Sequence, residues 1–221
     1  MTDFEKIEDS IRKILSNNNF YEDCYFFIKD IIRYNRYDCI ETYYHIAKEY
    51  GIDKIDGLLL RVIDMKNIII VKKLIDLGVD VNTPNTFPGK AIEYACQLYN
   101  CEKILDVLLK NGADLNINSN KFFQAACITN IEILQLLLDY GIVINESDPI
   151  IFSCICNLIK RKKYDKLSLL IKYGININTI LQTCPLIFSD EEDKKTIDLL
   201  LDFDIDYYTI IKLLCGVNLK N

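Results

Sequence analysis

Residues 108–116, LLKNGADLN, constrain this chain more than any other stretch, because their construction recurs. LIDLGVDVN at 74–82, LLDYGIVIN at 137–145 and LIKYGININ at 170–178 each repeat an apolar pair, a glycine, a short extended piece and a closing asparagine. Self-similarity at this spacing marks a repeat architecture, in which a unit buries its apolar face only against its neighbours. The glycines that close each unit fall at 51, 78, 112, 141 and 174, at intervals of 27 to 34 residues, so one unit recurs with loops of variable length.

Ahead of the later glycines run NIIIVKKLI (67–75), NCEKILDVLL (100–109), NIEILQLLL (130–138) and KYDKLSLLI (163–171). Their apolar residues recur at three- and four-residue spacing, which predicts an amphipathic helix. A further apolar segment precedes each one: GLLLRVI (57–63), AIEYACQL (91–98), FFQAACI (122–128) and IIFSCICNLI (150–159). The unit therefore reads as helix, tight turn, helix, glycine and extended loop, and the chain as all-α. A glycine in left-handed geometry satisfies the last carbonyls of a helix without a Cβ clash, which makes Gly51, Gly78, Gly112, Gly141 and Gly174 the expected structural caps. In the loops that follow, valine or leucine should turn inward while Asp and Asn hydrogen-bond within the turn.

The two ends depart from this unit. Residues 20–53 read as two helices closing at Gly51, and a polar helix over 3–16 would cover the exposed end of the stack. At the other end, Ser189 with Glu192 forms a capping box, and the acidic run 190–193 suits the first turn of a helix. Asp204 then takes the glycine position, Tyr208 the asparagine position, and TIIKLLCGVNLKN a closing helix. The expected organisation is 1–53 as cap and degenerate first repeat, repeats at 54–82, 83–116, 117–145 and 146–178, a degenerate repeat at 179–208, and a tail at 209–221.

Charge and composition exclude several functions. A net charge of −6 opposes phosphate binding, and the one dense basic run, KRKK at 160–163, sits where the first helix of a unit turns into the second, in a unit with a few extra residues. The apolar run 149–159 is shorter than the ~18–20 residues a membrane span needs. The charged amphipathic N-terminus is no signal peptide, so an intracellular, cytoplasmic protein is expected. Nine cysteines lie among apolar neighbours with no CxxC pair, and His45 is the one histidine. A zinc site or a Cys–His catalytic pair therefore lacks parts, and the cysteines read as small buried hydrophobes in a reducing compartment. With no phosphate-cradling glycine loop and no nucleophile beside a base, neither an enzyme, a cofactor nor a metal is expected.

LLKNGADLN, the helix NIEILQLLLDYG (130–141) and the small pair Ala125-Ala126 resemble the ankyrin repeat. The family's threonine-proline-leucine-histidine start is replaced here by PGKAIEYA (88–95) and NKFFQAA (120–126). That loss, with the abundance of Ile, Asn, Lys and Tyr, is similar to the divergent ankyrin-repeat proteins of giant DNA viruses of amoebae. The resemblance implies an ankyrin-repeat solenoid of about six helix-turn-helix units with protruding hairpin loops. It also implies a monomer whose concave face, lined by inner helices and loop tips, binds another protein and no small-molecule substrate. Carried over by position, the binding residues would be Asn85, Thr86, Phe87, Tyr94, Gln97, Asn118, Ser119, Gln124, Glu146, Ser147, Asp148, Ser153 and Asn157. Phe87 and Tyr94 stand out, because aromatics anchor interfaces. The implied function is a non-catalytic protein–protein interaction scaffold, a viral protein acting on a host partner in the host cytoplasm. The alternatives are a substrate adaptor for ubiquitin ligation and a nuclear or nucleic-acid role resting on residues 160–163.

Overall fold

The computed structural model describes residues 3–17, 20–83, 90–116, 118–145 and 147–175, which are helix and loop with no β-strand among them. Asn85, Thr86, Phe87 and Glu146 lie outside the described residues, as do the Ser189–Glu192 box, Asp204, Tyr208 and the whole of 179–221. The chain divides into two compact units, residues 1–114 and 115–221.

The first unit contains α1 (Asp3–Ser16), α2 (Phe20–Arg33), α3 (Cys39–Tyr50), α4 (Ile52–Asp64), α5 (Ile68–Asp76), α6 (Ala91–Gln97) and α7 (Glu102–Lys110). The first helices of successive pairs pack on one another, α2 on α4 and α4 on α6, and so do the second helices, α3 on α5 and α5 on α7. Helix α1 lies over α2 and α3 and buries Ile11 and Leu15, one turn apart on one face. An exposed ion pair, Arg12 to Glu49 at 2.7 Å, links α1 to α3 and is of the kind that adds little stability. Ala95 and Cys96 are fully buried in α6, and their small volumes let neighbouring backbones approach. Ile70, Val71, Leu74, Leu105 and Leu108 fill the layer of second helices, each contributing about 1.5–3 kcal/mol on burial.

The second unit repeats the scheme with α8 (Ser119–Ile128), α9 (Ile131–Asp139), α10 (Pro149–Lys160) and α11 (Tyr164–Lys172), α8 packing on α10 and α9 on α11. Phe122, Phe123 and Ala126 of α8 are buried, as are Ile151 and Ile155 of α10 and Leu167 and Leu170 of α11.

The glycine that ends each second helix has a measurable geometry. Gly78, Gly112, Gly141 and Gly174 have φ of 91°, 81°, 75° and 81°. In each case the next residue's N–H donates back to a carbonyl five residues earlier, as Ala113 to Leu108 at 3.0 Å and Ile142 to Leu137 at 3.0 Å. Gly51 departs from them. At φ 116° and ψ 161° it is not in the left-handed helical region, and it passes the chain directly from α3 into α4.

The turn inside each helix pair has its own rule. Lys66, Asn100 and Lys162 take φ of 55°, 57° and 54°, and each sits one residue before the cap of the second helix. Two sequence expectations change in consequence. Asn100 is the left-handed turn residue and does not open the helix, whose cap is Cys101. The turn at 161–163 is no longer than that at 65–67; the additional residues of this repeat lengthen the helix α10, which has 12 residues against 7 in α6. Asn67 and Asn130 cap α5 and α9 by accepting from Ile70 at 3.0 Å and Ile133 at 3.3 Å.

Candidate interaction surface

The loop after Gly78 explains why the repeat closes on an asparagine. The Asp80 carboxylate accepts from the Asn82 backbone N–H at 2.8 Å, a local turn that aims the Asn82 side chain away from its own repeat. That side chain then donates to the Gly112 carbonyl at 2.7 Å and accepts from the Asp114 N–H at 2.8 Å. Asn82 therefore bonds across to the corresponding loop of the next repeat, where a purely local turn was expected. Val79 and Val81 on either side of Asp80 are buried, as are Ala113 and Leu115 around Asp114, so the alternating pattern anchors each loop to the helices beneath it.

In the second unit the loop before α10 is tied down by polar side chains. Asp148 accepts from Ile150 N–H at 2.8 Å and so caps α10. Its other oxygen accepts from the Asn120 amide at 2.6 Å, which links the loop to the start of α8. Asn145 accepts from the Ser147 N–H at 3.1 Å. Asp148 thus has structural work as a helix cap, and Asn120, which the sequence pattern did not single out, is its partner.

The other expected contact residues separate by environment. Tyr94 is half-buried, and its hydroxyl donates to Asp64 at 3.0 Å. Burial, and then that carboxylate, push the phenol above the usual tyrosine range. That bond stitches α6 to α4. Gln97 is exposed at the end of α6. Asn118 is exposed at φ 64°, in the left-handed region asparagine tolerates, and its carbonyl accepts from Lys121 and Phe122 as α8 begins. Ser119 is half-buried; Gln124, Ser147, Ser153 and Asn157 are exposed.

Along α8 the exposed positions are Lys121, Gln124 and Ile128; along α10, beyond Pro149 and Ile150 in its first turn, they are Ser153, Asn157 and Lys160, each set at helical spacing on two helices that pack together. Ile128 is 69% exposed and Val143 62%. These aliphatic side chains went unremarked in the sequence, where an isoleucine in a periodic apolar run reads as core. The basic run lies at a helix end as expected, with Lys160, Arg161 and Lys163 exposed.

Among the described residues one cation is buried. Lys166 of α11 is 6% exposed and donates to the carbonyls of Ala126 at 3.1 Å, Cys127 at 2.7 Å and Thr129 at 2.8 Å. Burial lowers the pKa of its ammonium. Ala126 and Cys127 lie in the last turn of α8 and Thr129 is its C-cap, a helix end whose partial negative charge suits a cation. Among the described residues no group of three or more His, Cys, Asp or Glu side chains is placed to hold a metal, and no helix is long and apolar enough to cross a membrane.

Comparison with known proteins locates this architecture. Residues 58–148 match the family model described as ankyrin repeats (3 copies). The chain is also 27% identical over 129 residues to a protein of Acanthamoeba polyphaga mimivirus named as ankyrin repeat protein R841, an alignment covering 53% of this chain and 20% of that protein. The chain thus spans about a fifth of that relative's length.

Proposed function

We propose, from the premise that residues 58–148 are ankyrin repeats, that this chain is a non-catalytic scaffold that binds a partner protein. Its contact surface is the exposed side of the first helices together with the loop tips. The observation that carries the reading is the paired stripe Lys121–Gln124–Ile128 and Ser153–Asn157–Lys160, a polar surface with an exposed aliphatic side chain set on two packed helices. Rigid helices and a loop already fixed by Asp148 lose little entropy on binding, which favours affinity from a modest contact area. The similarity to a mimivirus protein supports a viral origin and a partner in the amoebal host.

Affinity capture with the full chain from amoebal lysate, read by quantitative mass spectrometry, tests this. Gln124→Arg and Asn157→Arg should each lower recovery of one common partner by about tenfold, equivalent to about 1.4 kcal/mol. Lys103→Glu on the exposed side of α7 should leave that recovery unchanged. Loss with Lys103→Glu and retention with both arginine variants would place the contact on the second helices and overturn the assignment. A captured partner that is a ubiquitin-ligase subunit would make the chain an adaptor; DNA binding at low salt abolished by altering 160–163 would assign that run instead.

A further inference from the structure

Helix α2 exposes Glu22, Phe26, Lys29, Asp30 and Arg33. Glu22, Phe26, Lys29 and Arg33 follow one another at steps of four, three and four residues, which aligns them in one narrow stripe at the spacing of a coiled-coil seam. Cys24, Ile28 and Ile31 are buried on the other side of the helix, so the stripe faces outward. Phe26 is 60% exposed, and Tyr34, just beyond the helix end, is 63% exposed. Both border a groove of about 480 Å³ between α1 and α2, with Ile7, Ile14 and Phe27 along it. The cations of the stripe rest on rings. Lys29 lies 6.0 Å from the Tyr25 centroid and Arg33 5.5 Å from that of Tyr34, positions from which each can also receive a carboxylate.

Charge order along the stripe selects what covers it. The stripe opens on Glu22 and closes on Lys29 and Arg33. A second α2 laid antiparallel across it brings Glu22 of each copy to Arg33 of the other, and Phe26 of each to Lys29 of the other. Both pairings attract, carboxylate to guanidinium and ring to ammonium. A parallel copy would set like charge against like. We propose that the outer face of α2 joins two copies of this chain in a two-fold dimer, with α2 antiparallel to its counterpart. The two Phe26 side chains then stand about 4.5 Å apart along the seam, three residues at 1.5 Å each, beside the grooves that hold Ile7 and Ile14. The contact is isologous, so one stripe serves as both halves of the interface. Helix α2 has 14 residues, about 21 Å, so seam and grooves bury on the order of 1,000 Å² in the two copies together. That is the low end for a specific interface, and the dissociation constant should lie at about 10⁻⁵–10⁻⁴ M. The monomer implied by the family resemblance is the form below that concentration.

Sedimentation velocity of the full chain from about 5 to about 500 μM tests this, in about 50 mM salt to limit screening of the end pairs. The weight-average mass should rise from 25.7 kDa toward twice that value. Phe26→Asp should weaken association at least about tenfold. Glu22→Arg and Arg33→Glu each set like charges together at both ends of the seam, and each should weaken it about tenfold. Mixed in equal amounts, these two single variants should associate as tightly as the unsubstituted chain, because each supplies the sign that the other lacks. The substituted side chains are exposed, and an unchanged far-ultraviolet circular dichroism spectrum shows that each variant keeps the fold. An unsubstituted chain that stays at monomer mass throughout the range overturns the proposal. So does a dimer that forms equally well with Phe26→Asp, which places the contact on another face. Failure of the two charge variants to recover on mixing rules out the antiparallel seam.

Discussion

Lys166 donates to the carbonyl of Thr129 at 2.8 Å, and each of these residues explains the other. Thr129 stands one residue before the cap of α9, where Lys66, Asn100 and Lys162 take positive φ in the other pairs; its own φ is −74°. A β-branched residue resists the left-handed region, so α8 ends without that closure, and carbonyls at its end accept from Lys166. Lys166 stands three residues after its helix cap, where Ile70, Ile104 and Ile133 are buried in the other second helices. A core isoleucine has been exchanged for a cation, and the end of α8 receives it.

Lys166→Met keeps the apolar stem and removes the three hydrogen bonds donated to the end of α8. The unfolding free energy should fall by about 2 kcal/mol in urea denaturation. Thr129→Asn combined with Lys166→Ile restores the arrangement of the other repeats, so the double variant should recover at least about 1 kcal/mol relative to the sum of the single changes. Strict additivity would break the link between the two positions.

Gly112 offers a cleaner test of helix closure. A Cβ there meets nothing within 4 Å, so a substitution is opposed by the backbone conformation at φ 81° and not by crowding. Gly112→Val should destabilise by about 1–2 kcal/mol, and Gly112→Asn by clearly less, because asparagine visits this region. Equal thermal midpoints for the two variants would point to a cause other than φ.

Asn82→Ala removes both bonds to the neighbouring loop, to Gly112 O and Asp114 N–H. The loss should be about 1–2 kcal/mol. It should also appear as faster amide exchange at Asp114, a site 32 residues away in sequence. Unchanged exchange at that amide would mean the bond adds no protection.

Buried thiols set the alkaline limit of the first unit. Burial pushes Cys24 up to about 12 and Cys101 up to about 11. Because the folded values exceed those of the unfolded chain, near 8.5, the neutral thiols stabilise fully below that pH, and the contribution is lost as pH rises through 11 and 12. Between about pH 9 and 11 each should remove up to about 1.4 kcal/mol per pH unit. Denaturation at pH 8, 9 and 10 should show that decline, with a shallower slope for Cys24→Ala and Cys101→Ala whatever their absolute stabilities.

Much of this fold was legible in the sequence because the signals are local. Helical spacing, and a glycine where φ must be positive, act within one turn of the chain. The asparagine of VDVN was visible as a motif, yet its acceptor lies in the next repeat and nothing near Asn82 names it. Lys166 was readable in part: aligning the second helices by their caps puts a charge at a core position. Its compensation by the end of α8 depends on the conformation of Thr129, which becomes evident only in three dimensions. The surface was least legible. Tyr94 and Asp148 looked available from their types, but the carboxylate of Asp64 and the amide of Asn120 already engage them.

The Lys166 arrangement also restricts how this array can change by recombination. A repeat whose second helix carries isoleucine at that position can follow a predecessor whose turn is already closed. The repeat containing Lys166 suits only a predecessor whose first helix ends as α8 does, and the helix ending at Ile128 needs a successor that supplies a cation. Duplicating, deleting or exchanging either repeat alone would strand an ammonium in the interior or deprive this helix end of its cation. These two neighbours must therefore be inherited together, a linkage written into order along the chain and not into either repeat by itself.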